Sequence, residues 1–225
     1  MPAEQSVPSA RQEISPIAEA RDALREAILR GEYLPGERLV EAQLSERFRA
    51  SRFTVRSALQ DLAGDGLVEM QRNRGAVVRK VSLAEAVEIT EVRMVLEGLV
   101  AARAAVRADA AQGVELAEIG AQMRAAVAAG ESRRYSDLNQ RLHALIRSIA
   151  AHHTADDIIG TLHAQLVRHQ FMLSLLPGRP ETSLPQHERV IAAILAHDPP
   201  EAEAAMRDHI SSVIDALRTM DALGL

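Results

Sequence analysis

The sequence predicts a mainly α chain in two parts, a three-helix unit closed by a β-hairpin and then an all-α bundle of six to seven helices. Three observations carry this. Short capped segments with apolar residues at helical spacing fill the chain up to about residue 64. Two strand-like runs flank Arg72-Asn73-Arg74-Gly75. From Ser82 onward the texture is alanine-rich and amphipathic, without strand signals, and reads as helices from Leu83 to about Ala108, Val114 to Ala129, Tyr135 to Ala151, Thr154 to Leu175, Ser183 to Ala196 and Glu201 to about Leu223, with Pro177-Gly178-Arg179-Pro180 interrupting the chain after the fourth. A length of 225 residues suits about two domains. The expected boundaries are a loose polar leader at 1–12, the first unit at 13–80 and the helical unit at 81–225, with Val81-Ser82-Leu83 as the joint.

Ser15 and Pro16 open the first helix, which carries Ile17, Ala20, Leu24 and Ile28 on one side and stops at Gly31. Glu41 to Phe48 forms a short second helix with Leu44 and Phe48 inward, and Arg49-Ala50 makes the turn. Ser51 then caps a third helix whose Val55, Ala58, Leu59 and Leu62 form a core face. Arg52 and Arg56 project from its other side, near the start, where a helix laid in the major groove touches bases and phosphates. Gly64 and Gly66 break the chain, and Leu67 to Gln71 and Ala76 to Arg79 read as two strands of a wing. This is the order of a winged helix-turn-helix.

Charge distribution fits that reading. The whole chain carries −5, but from Arg47 to Lys80 eight cations face three acids, leaving +5 where a duplex would lie. The chain has no cysteine, hence no disulfide framework and no thiolate metal site. No apolar run reaches the roughly 20 residues of a membrane span, and no signal-peptide pattern opens the chain, so a cytoplasmic protein is expected.

Leu34-Pro35-Gly36-Glu37-Arg38-Leu39, Ser51-Arg52-Phe53-Thr54-Val55-Arg56 and Asp65-Gly66-Leu67-Val68 together resemble the GntR-family operator-binding domain. The remainder resembles the helical FCD effector domain of the FadR-like branch. The resemblance implies a non-enzymatic transcriptional regulator, a repressor relieved by a small effector, acting as a homodimer on double-stranded DNA with a pseudo-palindromic operator. By this likeness Arg52 and Arg56 read guanine edges, Ser51 and Thr54 hold phosphates, and Arg72, Asn73, Arg74 and Gly75 form the contacting wing tip. Phe53 stands where the family has threonine and Thr54 where it has proline, which points to an altered operator preference, with Phe53 against a thymine methyl. Arg49 replaces the family's turn glycine and is strained if that position needs positive φ.

All eight histidines lie at or after position 143. His143 shares a helical side with Leu142 and Ile146, His187 with Val190, Ile191 and Ile194, and His209 with Met206, Ile210 and Val213. Asn139 sits one turn before His143. Three imidazoles and an amide oxygen on three helices can converge on a divalent cation, while any one inward histidine is more often a bonded core residue. The FCD resemblance implies the metal, with Asn139, His143, His187 and His209 as ligands and Asn139 as the weaker, neutral member. Imidazole-rich ligation favours zinc or another late transition metal. Arg93 lies on the inward stripe of Ile89, Leu96 and Val100. Two readings of it stand: an ion pair with Glu97, or a clamp for a small carboxylate effector that bridges it to the metal. Two rival readings of the bundle also stand, a metal-dependent hydrolase and a purely structural metal. The first lacks a base, since the nearest acid in sequence, Glu188, is turned about 100° from His187.

Overall fold

Helix α1 (Pro16–Leu29) starts where Ser15 Oγ accepts the Ala18 amide at 3.2 Å and Pro16 fills a position that needs no N–H. It buries Ala20, Leu24 and Ala27. In the computed structural model, which describes residues 15–72, 74–174 and 176–223, α1 packs on α3 (Arg52–Gly64), whose Val55, Ala58, Leu59 and Leu62 are buried. In chain order α2 (Glu41–Phe48) comes between them; it packs on α3 and is anchored by Leu44. The turn from α2 to α3 does require positive φ: Arg49 sits at φ 51°, ψ 39°. An L-residue there costs on the order of 1 kcal/mol.

The wing is a three-stranded antiparallel sheet in the order β1-β3-β2, formed by β1 (Arg38–Leu39), β2 (Val68–Gln71) and β3 (Gly75–Val78). Two strands were expected. β1 escapes the sequence because a run of two residues has no periodicity. It places Leu39 opposite Ala76, and this explains Gly75, which lies at φ +83° where a Cβ would run into the Leu39 carbonyl oxygen.

The chain divides between Lys80 and Val81 into two compact units. The expected leader at 1–12 lies outside the described residues, as does Asn73. Among its described residues the second unit holds seven helices: α4 (Leu83–Arg107), α5 (Ala110–Ala128), α6 (Ser132–Ala150), α7 (His153–Gln165), α8 (Val167–Ser174), α9 (Arg179–Leu195) and α10 (Pro199–Leu223). Helix α4 packs along α10 and also meets α6, α7 and α9. Leu116, Ile119, Met123, Leu142, Ile146, Val190, Ile194, Met206 and Ile210 form the main core.

Several helix limits differ from the sequence reading, each for a local reason. Asp109 and Gln112 make a reciprocal capping box, so α5 starts at Ala110 and not at Val114. The single helix expected from Thr154 to Leu175 is two, α7 and α8, because Leu166 turns into a second apolar cluster with Ala86, Ile89, Leu173 and Leu217, while Ile159 stays in the main core. The Pro177-Gly178-Arg179-Pro180 interruption is shorter than expected. Gly178 takes φ +76° and Pro180 fits the first turn of α9, so Arg179 and Ser183 lie on that helix.

Candidate metal centre and nucleic-acid face

His143 on α6, His187 on α9 and His209 on α10 are each under a tenth exposed. One nitrogen from each lies within 4.8 Å of the others. Ring centroids are 5.6 Å apart for His143 and His187, 5.4 Å for His143 and His209, and 4.2 Å for His187 and His209. The helical stripes read from the sequence therefore meet.

Each ring is held from behind through Nδ1, and the partners fix its proton. His143 Nδ1 lies 2.9 Å from Glu97 Oε2. A carboxylate only accepts, so Nδ1 carries the hydrogen. His209 Nδ1 lies 3.1 Å from Gln186 Oε1, also an acceptor. His187 Nδ1 is 2.9 Å from the Tyr135 hydroxyl, which is 2.8 Å from Ser183 Oγ. Ser183 Oγ in turn donates to the Arg179 carbonyl at 2.9 Å. That carbonyl cannot donate, so the chain of bonds runs one way: Ser183 gives its hydrogen to it, Tyr135 gives to Ser183, and His187 Nδ1–H gives to Tyr135. Burial holds the Tyr135 hydroxyl protonated, its pKa pushed up to about 12, which keeps this relay intact.

In a neutral imidazole a hydrogen on Nδ1 leaves Nε2 with a bare lone pair. That of His187 is buried and without a hydrogen-bond partner, and so is Asn139 Oδ1, one turn before His143 on α6. Burial, helped by the neighbouring imidazoles, holds His187 and His209 well below the ordinary histidine pKa, so both are neutral. Three imidazole nitrogens and an orphaned amide oxygen, with no hydrogen donor given to His187 Nε2 or Asn139 Oδ1, are a ligand set that fits a divalent cation.

Arg93 does not stand open beside this cluster. Its Nε and Nη2 donate to Glu97 Oε1 at 2.9 and 2.7 Å, with both side chains buried. His163 Nε2, at 3.3 Å, reaches the same oxygen. The structure thus places Arg93 in the ion pair with Glu97. Glu97 itself, and not Glu188, is the acid at the centre; Glu188 pairs with Arg124 at 2.8 Å. Burial raises the Glu97 pKa most, but the Arg93 charge and the bonds from His143 and His163 outweigh it and hold the carboxyl well below its usual range. A carboxylate so stabilised is a weak base. Glu97, Tyr135, Ser183, Gln186 and His163 were not assigned to the site from the sequence. Their only signal there was the i, i+4 spacing of Arg93 and Glu97.

In the first unit Ser51 Oγ accepts the Thr54 amide at 3.0 Å and lies 2.8 Å from Thr54 Oγ1, so the two hydroxyls build the α3 cap together. Arg52 is exposed and Phe53 is 74% exposed. Arg56 is tied back to Glu41 through Nε and Nη2 at 2.9 and 2.8 Å. Arg72 and Arg74 are exposed at the wing tip. Arg38, on the strand the sequence did not reveal, donates to the Arg74 carbonyl at 3.1 Å and joins that basic tip.

Residues 16–78 match the bacterial regulatory proteins of the gntR family and residues 88–212 match the FCD domain. The chain belongs to the GntR family of transcriptional regulators. This GntR-family protein is 31% identical over 195 residues to the HTH-type transcriptional repressor RspR of Escherichia coli K12, covering 87% of this chain and 86% of the relative. It is 27% identical to the HTH-type transcriptional regulator LutR of Bacillus subtilis, over 84% and 95% of the two chains. The fold of E. coli McbR/YncC is similar, with a TM-score of 0.75 and 20% identity across 92% of this chain and 99% of that one. The protein is a DNA-binding regulator with an FCD effector domain. Among the described residues no helix is long and apolar enough to cross a membrane.

Proposed function

We propose that this regulator is a cytoplasmic, dimeric repressor that holds a divalent transition metal, zinc first among the candidates, and releases a pseudo-palindromic operator when a small organic acid binds at the metal. The observation that carries this is the convergence of three imidazole nitrogens, one from each of three helices, at one buried point. Asn139, His143, His187 and His209 would hold the cation, which supplies a positive charge for an anionic oxygen. The ligands are all neutral, so that charge is not cancelled by them. Glu97, Tyr135 and Gln186 orient the rings, and Glu97, already taken up by Arg93, His143 and His163, is not free to activate water, which argues against a hydrolase.

In the first unit Arg52 and Phe53, both exposed at the α3 start, take the base edges, with Arg72, Arg74 and Gly75 at the wing, and Asn73 beside them by sequence. Arg56 joins them by leaving Glu41, or stiffens the helix entry by staying. Ser51 and Thr54 hold the cap and offer their hydroxyl oxygens to phosphate. A second copy is supported by α4: Val92, Val95, Leu99 and Val106 are 52%, 52%, 41% and 67% exposed and, with Ala102, alternate by three and four residues. Antiparallel pairing about a two-fold axis sets Val95 against Leu99 and Val92 against Ala102. Acid binding that favours one helix arrangement shifts the fraction of dimers with operator-competent spacing.

The experiment is a gel shift on the protein's own upstream region, with metal-loaded and chelated protein and a series of small acids. Acid-dependent release that requires the metal is expected. Release that is unchanged by chelation makes the metal structural, and no release by any acid removes the sensing role.

A further inference from the structure

Two guanidiniums flank the histidine cluster, and they are not equivalent. Arg93 already has its carboxylate, with two donors on Glu97 Oε1 and both side chains sealed from solvent. Arg179 has none among the described residues: its hydrogen bonds are from Nη1 to Ser212 Oγ at 2.8 Å and to the Ser212 carbonyl at 3.2 Å. It is also only half-buried, so an ion from solvent can reach it.

Its place in the fold aims it at the same centre. Arg179, Ser183 and His187 follow one another at four-residue steps on one face of α9. Ser212 lies three residues beyond His209, on the same side of α10 one turn on. Bonding to Ser212 therefore holds the guanidinium about one helical turn, about 5 Å, from the level of His209. Its positive charge reaches both His187 and His209. Among the described residues the charges felt at His209 include the guanidiniums of Arg93 and Arg179 and the carboxylate of Glu97.

We propose that Arg179, and not Arg93, receives the effector's carboxylate, and that the effector is a diacid or polyhydroxy acid. A second oxygen-bearing group of the effector meets the cation that Asn139, His143, His187 and His209 would hold, a role for which acetate, with its one carboxylate, has no group left. Arg93 and Glu97 stay paired and serve to orient His143. This rests on the metal and acid reading given above and specifies the residue and the ligand class.

Calorimetry of the metal-loaded full-length protein with succinate, malate, gluconate and acetate tests it. At least one of the longer acids binds, and acetate binds about tenfold more weakly or not at all. Arg179→Gln weakens that acid by about 10- to 100-fold, the range for loss of a charge-assisted bond, with metal content by mass spectrometry and the melting curve unchanged. Arg179→Lys, which keeps the charge and is the fallback if the first variant does not fold, falls between. An Arg179→Gln or Arg179→Lys protein that binds the acid as tightly as wild type, or acetate binding as well as the longer acids, overturns the proposal while leaving acid sensing intact. If no acid binds the metal-loaded wild type at millimolar concentration, the acid-sensing reading itself fails.

Discussion

At the α3 start and the wing tip, Arg52, Phe53, Arg72 and Arg74 lie open to water, whereas in the bundle Arg93, Glu97, His143, His187 and His209 are each under a tenth exposed. Water satisfies any polar atom at the first site, so an exposed pair such as Arg56 with Glu41 contributes little, and residues there are assigned by position on the element. At the second site every nitrogen must have a partner, so following the hydrogens from acceptor to donor fixes the tautomers and exposes the atoms that lack one. Exposed chemistry is read from where it sits, buried chemistry from what it is missing.

The sharpest break of this contrast lies in the buried pair. Glu97→Ala strands Arg93 in the core and should cost about 3 to 5 kcal/mol in denaturant melts, whereas Glu41→Ala, which frees exposed Arg56, should cost under about 1 kcal/mol; equal losses would erase the distinction. Tyr135→Phe removes the acceptor that fixes the His187 tautomer. Metal affinity from competition with a chelator should fall about 10- to 100-fold in a protein that still folds, and unchanged affinity would mean that the relay does not set the ring.

Smaller effects sharpen the exposed side. Arg52→Ala should weaken specific operator binding by about 1 to 3 kcal/mol at physiological salt and leave metal content alone. Arg56→Ala should lose less, because its fork already has Glu41. A larger loss at Arg56 would show that it leaves Glu41 on DNA. Leu99→Glu should sediment as a monomer if α4 forms the seam between copies, and a dimer there would move the interface elsewhere. Least of all, Arg49→Gly relieves the left-handed turn at φ 51° and should raise stability by about 1 kcal/mol in the same melts.

Periodicity made much of this legible. The stripes of Leu142 and Ile146, Val190 and Ile194, and Met206 and Ile210 turn the three histidines inward in the sequence itself, because a helix facing a core must repeat near 3.6 residues. Glu97 was visible only as a neighbour of Arg93, since spacing along one helix says nothing about which facing helix supplies His143. Tyr135, Ser183 and Gln186 stayed hidden for the same reason, and Arg179 because it was assigned to a loop that is the first turn of α9. Arg38 was missed with β1, whose two residues carry no pattern. What a sequence shows is the face of each element; which faces meet is decided by packing.

X-ray absorption at the zinc edge on protein loaded with one equivalent of zinc tests the convergence of the three Nε2 lone pairs most directly. The expected result is a shell of three imidazole nitrogens at about 2.0–2.1 Å with oxygen completing the coordination, losing one imidazole in His187→Ala. A spectrum with one imidazole or none, or one that His187→Ala leaves unchanged, contradicts it.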